Sequence, residues 1–587
     1  ASAYHEKLRA DYRAALHTTG VPESNKIYEY GVTFNGFAAR LTATQAARLA
    51  RADDVAKIWK NEVVRADTVS TPAFLGIDGP DGVWAQRFGG DARAGEGIIV
   101  GVVDTGFWPE NPSFAALPEP RPDRAVIAAK WHGTCDAGAD PVVAHRITCN
   151  NKVIGARYFY SDGIQAGVPD EFGSPRDRNG HGSHTASMAA GDHGVPAVVH
   201  GIPMGRASGM APAARIAVYK ALWHQPDGGR GNSADLVAAI DAAVGDGVDV
   251  INYSISGSQE SIVDAAEIAF LNAAAAGVFI AASAGNTAGP GTVAHNSPWV
   301  TTVAASTHDR AYGKSVRLGN GVTYTGVGVA PEPVGPTGLV DAAAAGSELC
   351  LPGALDPARV AGKIVLCKRG TNPRVEKSAA VKAAGGVGMV LYDSPDAGLT
   401  ADFHAVPSVH LNNADGLAVK AYAADPDATA SLSAGFHPRV RAPAMAGFSS
   451  SGPAQASADL LKPDIAAPGV DVIAAYSPLN AGGSDYEQIS GTSMAAPHLA
   501  GIAALLRSKH PDWSPMAVKS ALMTAARPVG GDYTPLNYGA GQVEPAGAFD
   551  PGLVYDSDAL DWFRYGCGLG QFQLVYGPAA CQAVGTM

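Results

Sequence analysis

A serine in a short turn of small residues is the first side chain in this sequence that could carry out covalent chemistry. Ser493 lies in Gly491-Thr492-Ser493-Met494-Ala495-Ala496-Pro497-His498, and the apolar residues that continue to about Leu506 predict a helix beginning at the serine. The first turn of a helix offers free backbone N–H groups and a positive dipole end, which stabilise developing negative charge. Pro497 falls in this turn, where its missing N–H costs little. Ser493 is therefore a candidate nucleophile that needs a base, an orienting acid and an oxyanion donor from elsewhere in the chain.

Three other stretches place a reactive side chain among small residues: Val103-Asp104-Thr105-Gly106, Asn179-Gly180-His181-Gly182-Ser183-His184-Thr185 and Ala284-Gly285-Asn286. Asp104 ends an apolar run, where an acid can accept an imidazole N–H and fix the tautomer of a histidine. His181 is flanked by glycines, which allow close approach, at the predicted start of a helix. The side-chain amide of Asn286 can donate to an oxyanion, and such a donor is typically worth about 3 kcal/mol. The backbone N–H of Ser493 can be the second donor.

Each of these stretches also has a structural interpretation. An aspartate after a strand is more often structural than catalytic, a Gly-His-Gly sequence is more often a turn, and a single asparagine is usually a loop residue. His184 near His181 suggests a metal-binding pair, but the zinc-peptidase pattern His-Glu-x-x-His is absent from the sequence, so we predict no metal site. The stretches become informative only when they are taken together.

The elements that must position these residues form an alternating pattern from about Gly95 onwards. Apolar runs predict buried strands at residues 98–103, 216–219, 248–253 and 278–282, and the segments between them predict helices at residues 233–246 and 261–276. This pattern is typical of an α/β fold with a parallel sheet covered by helices on both faces. Functional groups of such folds gather at the carboxyl ends of the strands, and Asp104, Ser254 and Asn286 all lie just beyond a predicted strand end.

Composition excludes some classes of function. The net charge is −12 and the sequence pI is about 5.7, which argues against nucleic acid as a partner. The sequence has no run of about 18 or more apolar residues, so we predict no membrane-spanning segment. The first residues contain no hydrophobic signal core, so we expect that a secretion signal has been removed from this numbering.

The cysteines fall into pairs that are close in sequence: Cys135 with Cys149, Cys350 with Cys367, and Cys567 with Cys581. Proximity favours these pairings, although six cysteines allow about fifteen pairings in principle. No Cys-x-x-Cys sequence is present, which argues against a zinc ribbon or a thioredoxin-like site. We predict a secreted, disulfide-bonded protein; buried free thiols are the alternative.

Two regions precede or interrupt the alternating pattern. Residues 1–67 predict a small α+β unit that resembles a ferredoxin-like sandwich, with a helix at 2–17, strands at 26–30 and 36–41, a helix from a capping box at Thr42 and Gln45 to about residue 52, and a last strand at 55–60. Residues 331–437 are bounded by proline-rich segments and predict an insert. The insert has strands at 363–367 and 387–392 and a helix at 375–384, without an evident catalytic set.

Taken together, the four reactive stretches resemble those of the subtilisin-like serine peptidases, the subtilase family. The order Asp, His, Asn, Ser is the same, and so are the surroundings Val-Asp-Thr-Gly, Gly-His-Gly-x-His-Thr, Gly-Asn and Gly-Thr-Ser-Met-Ala-x-Pro-His. The resemblance implies a subtilisin-like parallel sheet. The roles that it implies are orienting acid for Asp104, general base for His181, nucleophile for Ser493 and oxyanion donor for Asn286. It also implies a substrate-binding strand at Ser254-Ile255-Ser256-Gly257, with a P1 pocket between that strand and Ala282-Ser283-Ala284-Gly285.

The resemblance extends over nearly the whole chain and implies its domain organisation. Residues 1–67 resemble the family's inhibitory propeptide, residues 68–330 and 438–556 its catalytic domain, and residues 331–437 a protease-associated domain. The position of the insert, with Phe107-Trp108-Pro109-Glu110 and Tyr538-Gly539-Ala540-Gly541, is similar to the plant-type, pyrolysin-like branch, which also occurs in bacteria. Members of that branch usually continue into a fibronectin-like domain, of which residues 557–587 would be a truncated part.

The branch also implies where the chain is processed and what it cleaves. Mature enzymes usually begin a few residues before a Phe-Leu-Gly segment, here Phe74-Leu75-Gly76, which predicts cleavage between Asp67 and Thr68. His295 resembles the histidine of aspartate-specific plant subtilases, the phytaspases, and a cationic histidine near the pocket favours an acidic P1 side chain. A broad or hydrophobic P1 preference is the alternative.

The sequence therefore predicts a secreted serine endopeptidase that is made as a self-processing zymogen. Its partners would be peptide or protein substrates and its own propeptide, with no nucleic acid and no membrane, and it would be a monomer or a homodimer through the insert. No cofactor is required; calcium is left open, because many subtilases bind it although the plant-type branch often does not. The alternatives are a non-catalytic binding protein and an inhibited complex whose propeptide is cut but still bound. Since histidine titrates near pH 6.5, activity is expected to fall in acid.

Overall fold

The computed structural model describes residues 2–31, 35–52, 54–58, 63–65, 71–161, 171–225, 228–394, 398–436, 442–457 and 459–586. The predicted processing site, Asp67 and Thr68, lies outside these residues, as do the last two residues of the strand predicted at 55–60. The chain divides into two compact units. Unit 1 comprises Ala1–Ser306, Ser449–Glu487 and Gly491–Met587, and unit 2 comprises Thr307–Phe448 and Gln488–Ser490.

Unit 1 begins with an N-terminal α+β region. Its elements are α1 (Ser2–Thr18), β1 (Lys26–Tyr30), β2 (Gly36–Ala39), α2 (Ala43–Leu49) and β3 (Val63–Arg65). β1 and β2 pair antiparallel, and α2 begins at the predicted capping box. The strand predicted at 55–60 is not formed over residues 55–58. The extended segment is instead β3, because its backbone finds its pairing partners in residues 230–232.

The alternating strands and helices follow the N-terminal region. The strands are β4 (Ile99–Asp104), β5 (Val153–Tyr158), β6 (Val195–Val199), β7 (Ile202–Ala207), β8 (Arg215–Lys220), β9 (Trp223–Gln225), β10 (Gly228–Asn232), β11 (Val250–Tyr253), β12 (Phe279–Ser283) and β13 (Thr301–Ser306). The helices among them are α3 (Arg124–Lys130), α4 (His181–Ala190), α5 (Ser233–Asp246) and α6 (Ala265–Ala275).

Unit 2 contains a closed barrel. Its strands are β14 (Gly313–Leu318), β15 (Thr323–Val327), β16 (Val334–Asp341), β17 (Ile364–Lys368), β18 (Gly388–Tyr392), β19 (Ser408–Leu411) and β20 (Thr429–Leu432), and its helices are α7 (Pro357–Val360), α8 (Arg374–Ala383) and α9 (Asn413–Tyr422). The strand order is β14-β15-β19-β18-β17-β16-β20. The insert predicted at 331–437 begins later than the barrel does, because the sheet closes only through β14 and β15, which precede residue 331.

The chain after the barrel supplies the remaining elements. They are β21 (Ile465–Pro468), β22 (Val472–Ala475), β23 (Tyr486–Ile489), α10 (Thr492–Lys509), α11 (Pro515–Thr524), α12 (Pro535–Tyr538), α13 (Pro545–Ala548), α14 (Ala559–Gly568), α15 (Gln573–Tyr576) and α16 (Pro578–Val584). No helix among the described residues is both long and apolar enough to cross a membrane.

The core of unit 1 is a parallel sheet in the order β21-β13-β12-β11-β4-β8-β5. Every residue of β4, β8, β11 and β12 is buried, as a parallel sheet with both faces covered requires. Tyr253 in β11 is in register with Val103 of β4 and with Ala282 of β12. The carboxyl ends of these three strands therefore meet at one edge, where Asp104, Ser254 and the residues after Ser283 lie.

Helix α10 packs along one face of this sheet and supports several of its strands. It contacts β11, β12, β13 and β21, and it also packs against α4. All residues from Thr492 to Leu506 are buried. Because complete burial of a leucine side chain is worth about 2 kcal/mol, Leu499, Leu505 and Leu506 anchor the helix firmly. The N-terminus of α10 is thus fixed at the same edge of the sheet.

The three predicted cysteine pairs are the three disulfides of the structure: Cys135–Cys149, Cys350–Cys367 and Cys567–Cys581. The last of them joins α14 to α16 in the C-terminal segment. The alternative of buried free thiols is thereby set aside.

Candidate active site

Asp104 is the last residue of β4 and is completely buried. Its Oδ1 accepts hydrogen bonds from His181 Nδ1 at 2.5 Å and from the backbone N–H of Thr105 at 2.7 Å. Its Oδ2 accepts from Thr185 Oγ1 at 3.0 Å. These donors hold the carboxylate in one orientation, and the carboxylate in turn holds the proton of His181 on Nδ1. The Nε2 atom of His181 then has the lone pair that a general base needs.

His181 is the first residue of α4, and glycines on both sides of it allow this helix to approach its neighbours. Gly180, the N-cap, has φ +104°, and a Cβ there would lie 2.4 Å from the ring of Tyr476. A Cβ on Gly182 would lie 2.2 Å from the carbonyl oxygen of Gly106, next to Asp104. Any other residue would push His181 away from Asp104, so the sequence Gly-His-Gly is here required by close packing.

Ser493 is the second residue of α10 and is completely buried. Its hydroxyl donates to the backbone carbonyl of Ser254 at 2.9 Å. The N-cap Gly491 has no side chain that could bond to the backbone N–H of Ser493, which is one of the N–H groups without a partner inside the helix. Pro497, which the sequence placed in the first turn, is the sixth residue of α10 and lies inside the helix, so that prediction is wrong. Its missing N–H leaves the carbonyl of Ser493 without the usual helical donor.

Asn286 follows β12 and has a fixed side-chain orientation. Its Oδ1 accepts from the backbone N–H of Thr492 at 2.9 Å and from Thr492 Oγ1 at 3.0 Å. The hydroxyl of Thr492 in turn accepts from the backbone N–H of Gly285 at 3.1 Å. With Oδ1 engaged next to Ser493, the Nδ2 group of Asn286 is the part of the amide that can donate to an oxyanion. Asn286 was predicted from the sequence, whereas Thr492, the residue that orients it, was not.

The predicted substrate-binding segments also lie at this edge. Ser254-Ile255-Ser256-Gly257 continues from β11, and Ala282-Ser283-Ala284-Gly285 ends β12. His295 is brought close to the first segment, since a Cβ on Gly257 would lie 2.5 Å from Cε1 of its ring. The ring is completely enclosed, however, with Nδ1 donating to Glu267 Oε1 at 2.7 Å and Nε2 donating to the carbonyl of Ile255 at 2.8 Å. The predicted pocket residue is therefore behind the segment, with both nitrogens bonded inside the protein.

A further extended segment, β10, was not predicted from the sequence. β3 pairs antiparallel with β10, with Val63 opposite Asn232 and Arg65 opposite Arg230. β3 ends two residues before Asp67, so β10 holds the chain that leads into the predicted processing site. The signal that could have revealed β10 is its composition, Gly-Gly-Arg-Gly-Asn, because glycines let another backbone approach closely.

The N-terminal region also docks on α5 through two tyrosines. Tyr28 donates its hydroxyl to Asp235 Oδ1 at 2.7 Å, and Tyr30 donates to the carbonyl of Ala234 at 2.9 Å. Asp235 is completely buried at this contact and accepts a further bond from Ser161. Burial raises the pKa of the Asp235 carboxyl, and the hydroxyl of Tyr28 opposes that rise. The contact thus stabilises the N-terminal region against the helix that follows β10.

The charged side chains of the described residues do not assemble a metal site. No group of three or more His, Cys, Asp and Glu residues among them could hold a metal ion. Two backbone carbonyls are contacted by a buried lysine. Lys152 Nζ donates to the carbonyls of Pro212 at 2.5 Å and Ala214 at 3.1 Å, and burial lowers its pKa to about 8. The donor set for calcium expected of a carboxylate-rich loop is therefore not found in these residues.

Comparison with known proteins gives the same grouping of residues. The profile of the Subtilase family matches residues 95–541, and that of Peptidase inhibitor I9 matches residues 1–67. Subtilisin-like protease SBT1.6 of Arabidopsis thaliana is 39% identical over 96% of this chain and 76% of its own length. Subtilisin-like protease SBT1.4 of the same plant is 40% identical over 93% of this chain and 73% of its own length. A solved structure, the psychrophilic subtilisin-like protease Apa1 from the Antarctic psychrotroph Pseudoalteromonas sp. AS-11, covers 78% of this chain and 94% of that chain at 19% identity, with a TM-score of 0.37.

These matches identify the two parts of unit 1. The Peptidase inhibitor I9 profile spans α1 to β3, so the N-terminal region is an I9 propeptide domain. The Subtilase profile spans the parallel sheet together with α4 and α10, the helices that carry His181 and Ser493. Since the relatives also align over nearly the whole chain, this chain belongs to the subtilase family of serine endopeptidases.

Proposed function

We propose that this chain is a secreted serine endopeptidase that cleaves peptide bonds through an acyl-enzyme on Ser493 and is made as a self-processing zymogen. The observation that carries the proposal is the 2.5 Å hydrogen bond from His181 Nδ1 to the buried Asp104, at the strand edge that also holds Ser493. A histidine in this tautomer can take a proton on Nε2. The alternative of a non-catalytic binding protein would leave that buried pair and the fixed amide of Asn286 without a purpose.

The reaction divides into two steps. The hydroxyl of Ser493 leaves the carbonyl of Ser254 and turns to Nε2 of His181, which takes its proton as Oγ bonds to the scissile carbonyl carbon. Asn286 Nδ2 and the backbone N–H of Ser493 donate to the oxyanion. The C–N bond then breaks, and His181 gives the proton to the leaving amine. In the second step water attacks the acyl carbon while His181 takes a proton from it. The bond between that carbon and Ser493 Oγ then breaks, His181 returns the proton to Oγ, and the carboxylic acid leaves.

Self-processing is supported by the way the propeptide reaches the site. β3 adds to β10 as an antiparallel strand, which is how a protease commonly holds an extended peptide. Two residues further on comes the predicted cut between Asp67 and Thr68. A propeptide that enters the cleft in this manner is both the first substrate and, once cut, a competitive inhibitor that retains its docking contacts.

The substitution Ser493→Ala tests the catalytic assignment. We expect the variant to stay at full precursor length and to hydrolyse no peptide, while the wild type shortens and yields a new N-terminus at Thr68. Intact mass and N-terminal sequencing measure both results, and they also reveal whether residues 1–67 stay bound after the cut. Processing of the variant in the absence of any other protease would refute the assignment.

For specificity we propose a broad or hydrophobic P1 preference. The pocket would lie between Ser254–Gly257 and Ala282–Gly285, segments in which every side chain except that of Ile255 is small. The His295 ring, a cation behind this pocket, is already paired with the Glu267 carboxylate at 2.7 Å. A P1 carboxylate would therefore approach a neutralised pair rather than a free positive charge, and its own desolvation would go uncompensated.

Cleavage after Asp is the second candidate, and two observations favour it. The His295 ring lies directly behind Gly257, and Asp67 precedes the predicted cut. A peptide library varied at P1 separates the candidates. The primary proposal requires apolar residues to be accepted with at least tenfold higher kcat/KM than Asp, about 1.4 kcal/mol in transition-state binding. A preference for Asp of that size would reverse the assignment.

Residues 331–437 are assigned to a protease-associated domain within unit 2. The enzyme is proposed to be a monomer, or a homodimer that forms through this insert. Residues 557–587 form the helices α14, α15 and α16, so the expectation that they are a truncated part of a fibronectin-like domain, which is built of strands, is wrong. The three disulfides support secretion, because such bonds persist in oxidising compartments. Activity is assigned no cofactor, and addition of a calcium chelator is expected to leave kcat unchanged.

A further inference from the structure

A buried ion pair lies directly behind the segment that we assign to substrate binding. Glu267, in the first turn of α6, accepts from His295 Nδ1 at 2.7 Å, and His295 Nε2 donates to the backbone carbonyl of Ile255 at 2.8 Å. All three residues are completely enclosed. The three groups form one continuous chain from a helix to the substrate-binding segment. Neither the acid–base chemistry of His181 nor the oxyanion contacts of Asn286 explain it.

The surrounding residues hold this chain in place. Ser297 Oγ donates to the second carboxylate oxygen of Glu267. Trp299 Nε1 donates to the backbone carbonyl of Glu267 at 2.9 Å, and Thr302 Oγ1 donates to the carbonyl of His295 at 2.6 Å. His295 itself has φ +55°, a left-handed conformation that is costly for a residue with a Cβ. Because this backbone conformation is costly, the surrounding hydrogen bonds must hold His295 in it.

The hydrogen-bond partners determine the charge of His295. The carbonyl of Ile255 can only accept, and both oxygens of Glu267 are already accepting, so both ring nitrogens of His295 must donate. A histidine that donates from both nitrogens is an imidazolium. Burial alone would lower the pKa of His295, but the hydrogen bond and the negative charge of Glu267 outweigh burial and raise it. The imidazolium is accordingly present at low and neutral pH and is lost as the pH rises through the raised pKa.

Other ionisable groups face the pair from each neighbouring element. Asp264, the N-cap of α6, has a pKa raised to about 7 by burial and by the charge of Glu267. The ring of Tyr253 in β11 packs edge-on against His295 at 5.5 Å between centroids, and burial raises its pKa too. Burial lowers the pKa values of Lys462 and of Lys57 in the propeptide. The negative charge of Glu267 opposes this effect for Lys462, and that of Asp264 opposes it for Lys57. His295 bonds directly to the substrate-binding segment, through the carbonyl of Ile255.

The bond to Ile255 controls which way the segment faces. Peptide groups of successive residues in an extended segment point to opposite sides. With the carbonyl of Ile255 turned inwards to His295, the carbonyl of Ser254 points to the other side, where it accepts from Ser493 Oγ. The peptide group of Ser256 must then also face the cleft. Loss of the inward bond would free the segment to rotate and would misalign the groups that pair with a peptide.

We propose that Glu267 is a positioning residue of this peptidase: through the charged ring of His295 it fixes the carbonyl of Ile255 and thereby sets the substrate-binding segment Ser254–Gly257. The proposal deepens the proposed function and rests on it. Neither Glu267 nor His295 touches the substrate. Both act by way of the backbone that does.

The substitution Glu267→Gln tests the proposal, because it keeps the shape of the side chain and removes the charge. We expect kcat/KM for a tetrapeptide substrate that occupies P4 to P1 to fall about tenfold at neutral pH, as a lost or misaligned backbone hydrogen bond would cause. Without its counter-charge the buried ring loses its proton more easily. The alkaline limb of the pH profile should therefore move to lower pH by about one unit or more. The matched control is Glu260→Gln, an exposed charge near the same segment, which should leave both quantities unchanged.

A small irreversible reagent separates positioning from a general structural defect. Diisopropyl fluorophosphate reacts with the nucleophile but does not pair with the segment, so its rate of inactivation should be the same in Glu267→Gln and in wild type. In the wild type, the rate of inactivation by the reagent should not fall at the alkaline pH values where kcat/KM for the tetrapeptide falls. Parallel loss of both reactivities in the variant, or an unchanged pH profile for the tetrapeptide, would overturn the proposal.

A second variant covers poor folding of the first. His295→Gln alone leaves a buried carboxylate unpaired, whereas the double variant Glu267→Gln/His295→Gln is neutral at this site. The double variant should therefore be more stable than His295→Gln. Its pH profile for the tetrapeptide should lack the alkaline limb, because no ring is left to lose a proton. Retention of that limb in the double variant would refute the role of the pair. Failure of the proposed function itself gives a different result: wild-type protein would react with neither the reagent nor the peptide.

Discussion

The hydroxyl of Ser254 donates to the backbone carbonyl of Ser493 at 2.7 Å, while the hydroxyl of Ser493 donates to the carbonyl of Ser254 at 2.9 Å. The first of these bonds replaces a backbone hydrogen bond that is missing from α10. In a regular helix the carbonyl of Ser493 would receive the N–H of the residue four positions on, which is Pro497 and has none. Ser254 supplies the missing donor and at the same time ties the nucleophile's backbone to the strand edge.

Replacing Ser254 with alanine tests this compensation. Because the carbonyl of Ser493 would then be buried without a donor, we expect unfolding to be easier by about 1–3 kcal/mol. A smaller kcat should accompany the loss, since the nucleophile's backbone would be less well fixed. Thermal unfolding of active-site-inhibited protein and steady-state kinetics measure the two effects.

The double variant Ser254→Ala/Pro497→Ala is the control for that experiment. Alanine at 497 restores an N–H four residues after Ser493, so the double variant should regain most of the stability that Ser254→Ala loses. If both variants unfold at the same temperature, the carbonyl of Ser493 is not the group that Ser254 serves.

The oxyanion donor offers a second prediction. Removal of the amide in Asn286→Ala should lower kcat by about 10²–10³ with little change in KM, because the donor acts on charge that forms only in the transition state. Thr492→Val should lower kcat by a smaller factor of about ten, since Asn286 would keep its bond to the backbone N–H of Thr492 but lose the one to the hydroxyl. If Thr492 acts only through Asn286, its substitution should have no further effect in Asn286→Ala. Additive losses would show that it acts independently.

The residues that the sequence allowed us to predict share a simple physical cause. Asp104, Ser254 and Asn286 each follow an apolar run, and parallel strands bring their carboxyl ends to one edge, so the sequence contains the information about their proximity. Ser493 follows the same logic at a helix N-terminus. The helix that carries His181 was equally visible, because glycines beside a reactive residue indicate close approach. The three disulfides were visible from spacing alone.

The residues that the sequence did not reveal depend on contacts between distant elements. Glu267 reads as an ordinary acid in the first turn of a helix, where it complements the helix dipole; only the fold sets it against His295. Tyr28 reads as a strand residue, and nothing local announces Asp235 as its partner. The strand expected at residues 55–60 was misplaced because propensity says where a chain can extend, while β3 forms where β10 offers a backbone to pair with.

A pH prediction concerns unit 2. His404 Nδ1 lies 3.1 Å from Ser378 Oγ, and burial lowers the pKa of its imidazole to about 4. The unfolded chain takes up that proton near pH 6.5, so the contribution of His404 to stability is fully present above about pH 6.5 and is lost as the pH falls towards 4. We expect the unfolding temperature to drop between pH 7 and pH 4.5, and to drop less in His404→Gln. The control His17→Gln, at an exposed position, should show the same drop in unfolding temperature between pH 7 and pH 4.5 as the wild type. An equal drop in the wild type, His404→Gln and His17→Gln would contradict this account.

The propeptide contact gives the last prediction. Tyr28 donates to a buried carboxylate, Asp235, whereas Tyr30 donates to the neutral backbone carbonyl of Ala234, at nearly the same distance of 2.7 and 2.9 Å. Hydrogen bonds to charged groups are worth about 1.5–3 kcal/mol and neutral ones about 1 kcal/mol, so Tyr28→Phe should weaken inhibition by the separate propeptide more than Tyr30→Phe. We expect the inhibition constant to rise at least tenfold in the first and about fivefold or less in the second. In an Asp235→Asn enzyme the difference between the two propeptide variants should shrink, because the acceptor is then neutral. A larger effect of Tyr30→Phe would mean that the docking of the propeptide does not depend on the charge of Asp235.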